Sequence, residues 1–227
     1  MKNKINYCLS YFFPITLYKR KGELGHDLEV ILTKGRKVLN TKKVNYSYGS
    51  LYELFECFFA KLKIENPNFN PKNILMLGMG AGSVMHLIKK YYPSALITVV
   101  EKDMVVIEIS QRKFGLNKEF TFNLHYADAY EFVSSQNDVF DLIINDVFVD
   151  DEVPSELKSH RYLERLKTIC NDQGIVVFNE MESLNSDRLS LEVFRFLFEK
   201  IFPNTLSYER MFFGRKSYLF YAKVNRS

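Results

Sequence analysis

The sequence predicts an α/β fold in which a mostly parallel sheet carries helices on both faces. Three observations support this. From Lys72 onward, short β-branched runs alternate with stretches of helical periodicity, as in a parallel sheet covered on both sides. A glycine-rich turn, Leu77-Gly78-Met79-Gly80-Ala81-Gly82-Ser83, separates the first of these runs from the first helical stretch. The chain closes with two adjacent strand-like runs, which suggest an antiparallel pair at one sheet edge.

The composition agrees with a globular protein. The chain has 227 residues, of which 47% are apolar, with 6 Pro and 10 Gly, so disorder and collagen-like order are excluded. Its formal charge of +4 is a mild excess with no concentrated phosphate-binding face, so nucleic acid is not the expected partner. Cys8, Cys57 and Cys170 lie far apart without metal-ligand spacing, which reads as reduced thiols in a cytoplasmic protein. Lys2 and Lys4 precede the apolar run Ile5 to Tyr18, the outline of a secretion signal. Pro14 interrupts that run and no small-residue cleavage site follows, so it is read as a strand or helix of the mature fold. No other apolar run approaches the ~20 residues a membrane span requires, and no membrane partner is expected.

Taken in order, residues 28 to 40 give two short β-type runs joined by Thr33-Lys34-Gly35, the pattern of a hairpin. In the next segment, SYGSLYELFECFFAKL, Ser50 and Glu53 have capping-box spacing, and Leu51, Leu54, Phe55, Phe58 and Leu62 form one helical stripe. Pro67 and Pro71 end it. The expected strands of the large sheet are 73–77, 95–101, 121–126, 140–145 and 174–178, with helices starting near Gly82, Asp103, Asp128 and Ser155. A last helix over 186–201 is expected to present Leu189, Val193, Phe196, Leu197 and Ile201 on one face, with Pro203 stopping it. Runs 205–213 and 216–224, separated by Gly214-Arg215, form the closing pair. This divides the chain into a small N-terminal β extension, 1–48, and a nucleoside-binding domain, 49–227.

Candidate site residues follow from the sheet. Glycines at a strand–helix junction allow a tight turn and close approach of a ligand, while free N–H groups at the helix start favour polar or anionic atoms. An acid ends each of the next strands: Glu101, Asp128 and Asp146. In an open α/β sheet, ligands sit at these carboxyl ends near the switch point. Glu101 falls nineteen residues after Gly82, suitable for accepting bonds from both ribose hydroxyls. Asp128 can accept from an exocyclic adenine amine or cap a helix. The four histidines show neither metal spacing nor a neighbouring nucleophile, so no metal site is expected.

These positions together resemble the class I S-adenosylmethionine-dependent methyltransferase fold, which is Rossmann-like, and within it the spermidine synthase branch of polyamine aminopropyltransferases. The resemblance runs from about Asn45 to Glu180 and is densest in ILMLGMGAGS, in YADAYEFV and in the segment from FDLIINDVFVDD to GIVVFNE. It implies a seven-stranded sheet and a sulfonium nucleoside, S-adenosylmethionine or its decarboxylated form, bound by Gly78, Gly80, Gly82, Glu101, Asp128 and Ala129. It also implies Asp146 at the reacting amine, Tyr48 and Asp150 at the substrate, a small-molecule substrate and a homodimer.

The chemistry gives such an aspartate a task. An alkylamine titrates near the lysine value of about 10.4, so freeing its lone pair at pH 7 costs roughly 4.6 kcal/mol. A carboxylate can orient the amine, accept its proton and stabilise the charge developing on nitrogen. The chain departs from the aminopropyltransferase pattern at three places. Ala81 replaces an acid in the glycine loop, Gly49 and Ser50 follow Tyr48 where polar diamine ligands are usual, and Val149 stands where a second aspartate belongs, with Asp150 one residue later. Burying a diamine without paired acids costs several kcal/mol, which argues against putrescine. Methyl transfer to a small molecule, a non-catalytic nucleoside-binding protein and an NAD-binding dehydrogenase remain as alternatives. The last fits less well, because the loop reads G-x-G-x-G-S and leaves Asp128 and Asp146 without a task.

Overall fold

A computed structural model describes residues 2–41, 45–182, 188–212 and 215–225. The chain starts with a helix, α1 (Lys2–Leu9), and then forms an antiparallel sheet in the order β1 (Ile15–Lys21), β2 (Asp27–Thr33), β3 (Arg36–Asn40) and β4 (Asn45–Ser47). The expected hairpin is β2–β3, in which Lys34 and Gly35 take φ of 47° and 74°, the two left-handed turn positions that follow the twist of the strands. The N-terminal apolar run is thus divided between a helix and an edge strand.

Helix α2 (Ser50–Glu65) leads to the large sheet, and four of its expected stripe residues, Leu54, Phe55, Phe58 and Leu62, are buried. The expected capping box is absent. Gly49 is the cap, reached through positive φ at Tyr48 and Gly49, and Ser50 lies already inside the helix with no capping bond.

The large sheet alternates β5 (Asn73–Leu77), α3 (Ser83–Tyr91), β6 (Leu96–Glu101), α4 (Met104–Ile109), α5 (Leu116–Glu119), β7 (Asn123–Tyr126), α6 (Ala129–Ser135), β8 (Phe140–Asn145), α7 (His160–Ile169) and β9 (Cys170–Met181). It ends with α8 (Arg188–Ile201) and the strands β10 (Leu206–Phe212) and β11 (Arg215–Lys223). The strand order is β10-β11-β9-β8-β5-β6-β7, parallel from β9 to β7, with β10 and β11 antiparallel at one edge as expected. Gly214 lies outside the described residues.

Alternation along β5 explains the two core layers. Ile74 and Met76 face α2 and α3, where they meet Phe55, Phe58, Met85 and Ile88. Leu75 and Leu77 face α6, α7 and α8, where they meet Val133, Leu163, Leu166 and Phe198. A third cluster joins Leu28, Val30 and Leu39 of the small sheet to Ala81 and to Val105, Val106 and Ile109 of α4.

Three further expectations are corrected. The helix expected near Ser155 is a short 3-10 turn, Ser155–Lys158. The α-helix begins at His160, because the Ser159 hydroxyl accepts from Tyr162 N at 3.3 Å and fixes the start there. Strand β9 begins at Cys170 rather than Gly174, pairing early with Phe140 before a register shift. On α8 the buried face is Phe194, Phe198 and Ile201, packed on Phe178 and Phe220, while Leu189, Val193 and Phe196 face outward.

Candidate active site

Strand order reverses between β5 and β8, so the turns that follow these strands part and leave a crevice at their carboxyl ends. A cavity of about 1110 Å³ opens there, roofed by the small sheet and the first turn of α2. Gly78, Gly80, Glu101, Asp128, Ala129 and Asp146 all line it.

Gly78 makes the crevice tight. It adopts φ 85°, and a Cβ there would collide with the carbonyl oxygen of Asp146. Two backbone bonds of 2.9 Å hold the approach, Gly78 N to Val100 O and Asp146 N to Leu77 O. The glycine turn and the aspartate are therefore positioned against each other by main chain alone.

Glu101 is anchored by three N–H groups. Its Oε2 accepts from Met79 at 3.0 Å, and its Oε1 accepts from Lys102 and Asp103 at 2.8 and 2.9 Å. Burial nevertheless raises its pKa, with those bonds opposing. Asp128 caps α6, its Oδ1 accepting from Tyr130 N at 2.8 Å and Glu131 N at 3.2 Å, while its Oδ2 meets the Lys102 ammonium at 2.8 Å. Burial pushes this carboxyl up, but Lys102 and the two N–H groups outweigh it and hold the pKa below the usual range.

Asp146 follows β8 on the cavity wall. Burial lifts its pKa from 3.8 to about 7; a hydrogen bond from Asn179 opposes the rise, and the charge of Glu101 adds to it. Asn179 Nδ2 donates to Asp146 Oδ1 at 2.7 Å, and the buried Oδ1 of Asn179 has no hydrogen-bond partner among the described residues. One residue earlier, Asn145 is fully buried and accepts the Tyr162 hydroxyl at 2.7 Å, which ties the end of β8 to α7.

The structure does not bring three of the expected residues to the cavity wall. Gly82 caps α3 with φ 86°, and the side chain of Leu116 fills the space beside it. The Tyr48 ring stacks on Phe114 and Tyr52, at 5.5 and 6.2 Å, and packs against the cluster beneath the small sheet, while the following Gly49 and Ser50 reach the wall. Asp150 takes φ 60° in the turn bridged by Val149 and Glu152, and it is Val149 and Pro154 that face the cavity. Asn179, Lys102 and Asp103 also line the wall and were not selected from the sequence. Asn179 follows Phe178, the last residue of β9 paired with β8, so a search for any polar residue just past the parallel ladder, rather than for acids, finds it.

Beside the apolar cluster beneath the small sheet, one buried polar contact joins that sheet to the start of α3: Ser47 Oγ donates to Ser83 Oγ at 2.9 Å and accepts from Ser83 N at 3.3 Å. Among the described residues, no group of three or more His, Cys, Asp or Glu is placed to hold a metal, and no helix is long and apolar enough to cross a membrane.

Comparison with known proteins agrees with this architecture. The chain is 34% identical over 148 residues to a spermine synthase of Saccharomyces cerevisiae, an alignment covering 60% of this chain and 49% of the relative. It is 24% identical over 198 residues to an eEF1A lysine and N-terminal methyltransferase homolog of Drosophila melanogaster, covering 80% and 28%. The chain thus spans less than half the length of these curated relatives. In fold it is similar to a probable spermidine synthase from Corynebacterium glutamicum, with a TM-score of 0.75, 17% identity and coverage of 95% and 82% of the two chains. The spermine/spermidine synthase domain matches residues 59–212, and the chain belongs to that family.

Proposed function

We propose that this chain is a transferase that binds an adenosyl sulfonium nucleoside, S-adenosylmethionine or its decarboxylated form, and moves an alkyl group from it to a small nucleophile. The observation that carries the reading is the position of Asp146: its carboxyl is tuned to about 7, fixed by Asn179, and seated against the glycine turn in the cavity that also holds Glu101. Residues 1–48 form the roof of the site on this reading, and 49–227 the nucleoside-binding unit.

The wall suits such a ligand. Glu101 keeps acceptor capacity for ribose hydroxyls on a side chain locked by three N–H groups. Gly78 and Gly80 admit a ligand close to the backbone, and Asp128 with Ala129 forms the far wall. When bound, the sulfonium supplies an electrophilic carbon whose bond to sulfur breaks, with its electron pair passing to sulfur as the nucleophile's lone pair forms the new bond. Asp146 holds an amine in line and accepts its departing proton, which a carboxyl titrating near 7 does at neutral pH.

A specific observation favours methyl transfer as the second reading. Ala81 is fully buried in the apolar cluster under the small sheet, so the middle of the glycine loop offers no acid to an aminopropyl ammonium. Incubation with each donor and a panel of amines, followed by mass spectrometry, decides the matter. Methylthioadenosine as product marks aminopropyl transfer, and S-adenosylhomocysteine marks methyl transfer. If neither forms, and neither donor binds, the proposal fails.

A further inference from the structure

The cavity has an outer limb, walled by the β2–β3 hairpin and the first turn of α2, whose charged groups have no task in the chemistry above. Lys34 and Arg36 line it from the hairpin, and Glu53 lines it from α2. The turn that carries the two cations is braced. Lys34 N donates to Ser10 O at 2.7 Å and Gly35 N to Ser10 Oγ at 2.9 Å; Ser10 is itself buried, and the rings of Tyr7 and Tyr11 pack beneath Gly35. Burial raises the pKa of the Tyr52 hydroxyl on α2, and the hydrogen bond with Tyr7 raises that of the Tyr11 hydroxyl beside the hairpin; the charge of Arg36 reaches both and opposes each rise.

Other charges nearby are neutralised. Lys19 pairs with Glu29, Arg20 with Glu108 and Lys90 with Glu56. Among the described residues, Lys34, Arg36 and Glu53 have no ion-pair partner. Two exposed cations and one exposed acid on the wall of one cavity complement a group bearing one carboxylate and one ammonium. A guanidinium matches a carboxylate in two parallel bonds, a lysine adds a third donor, and a glutamate accepts from an ammonium. A diamine would instead set its second ammonium against Lys34 and Arg36.

We infer that this limb receives an α-amino carboxylate head, its carboxylate held by Arg36 and Lys34 and its ammonium by Glu53. The inference rests on the nucleoside reading of the cavity. The head has two sources, the methionine-type tail of an intact donor or an amino-acid acceptor, and the experiment separates them.

The full chain, with Arg36→Ala and Lys34→Ala variants that melt like the parent, is titrated calorimetrically with S-adenosylhomocysteine, which carries the head, and with methylthioadenosine, which lacks it. If the donor is the source, the parent binds S-adenosylhomocysteine about tenfold or more tightly than methylthioadenosine. Arg36→Ala then removes that advantage and leaves methylthioadenosine binding unchanged. If the acceptor is the source, the two nucleosides bind alike, and an α-amino acid is turned over with a KM that Arg36→Ala raises about tenfold while kcat is little changed. The inference is overturned if methylthioadenosine binds but the variants alter neither S-adenosylhomocysteine affinity nor any acceptor's KM, including the case in which no amino acid is turned over. Failure of both nucleosides to bind overturns the reading of the site itself, and this inference with it.

Discussion

The Asn179 amide donates to Asp146 Oδ1 across 2.7 Å, joining the two residues that follow the last parallel pair of β8 and β9, Asn145 and Phe178. This bond opposes the upward pull of burial on the Asp146 carboxyl. Removing it in Asn179→Ala raises the Asp146 pKa further. The acidic limb of the pH–rate profile is expected to move to higher pH, as measured by kcat/KM from pH 5 to 9. An unmoved profile would show that Asn179 does not tune the base.

Asp146→Asn separates chemistry from stability. Turnover is expected to fall by about 10²–10⁴-fold, the usual contribution of a positioned general base. Stability should move the other way. The folded carboxyl titrates near 7 and the unfolded one near 3.8, so between those values the folded state binds the extra proton, and wild-type stability falls as pH rises through the window. The variant lacks this loss. Its melting temperature should exceed that of the wild type at pH 8, and the difference should shrink at pH 5.

Gly78→Ala tests the backbone contact with Asp146. The added methyl meets the Asp146 carbonyl at a left-handed φ of 85°, and a loss of about 2 kcal/mol or more is expected, together with loss of nucleoside binding. Gly115→Ala is the control, since φ there is 75° but nothing lies within 4 Å of the added carbon. Its cost should be about 1 kcal/mol, with binding retained. Urea denaturation and calorimetry on both variants make the comparison.

Ser47→Ala removes the partner of both the hydroxyl and the N–H of Ser83 at the start of α3. A buried unsatisfied donor costs about 1–3 kcal/mol, so the urea midpoint should fall by that equivalent at unchanged slope. A neutral substitution would mean that the two sheets are held by their apolar contacts alone.

Much of this was legible in the residues. The short apolar runs of a doubly covered parallel sheet mark β5 and β8 to the residue, and the rule that ligands gather at strand ends brings Glu101, Asp128 and Asp146 to one cavity wall. What escaped depends on relations that a linear pattern does not carry. The exposed face of α8 was misassigned because two apolar stripes compete on that helix, and only Phe178 and Phe220 across the interface select Phe194 and Phe198. The resemblance implies Tyr48 at the substrate, but a linear motif carries no backbone sign, and positive φ at Tyr48 accompanies a ring stacked on Phe114 rather than on the cavity wall. Asn179 is a neutral amide that carries no charge signal, although its place just past the expected strand 174–178 is legible.

Ser47 rivets the roof to the floor at one side of the chamber, and Ser10 braces the overhanging hairpin at the other. On the proposed reading, the void between them is inherited from folding rather than assembled around a guest, and capture forfeits little freedom of the protein. Discrimination then falls to the decoration of the walls, so swapping a few polar side chains should retarget this scaffold to new guests without rebuilding its frame.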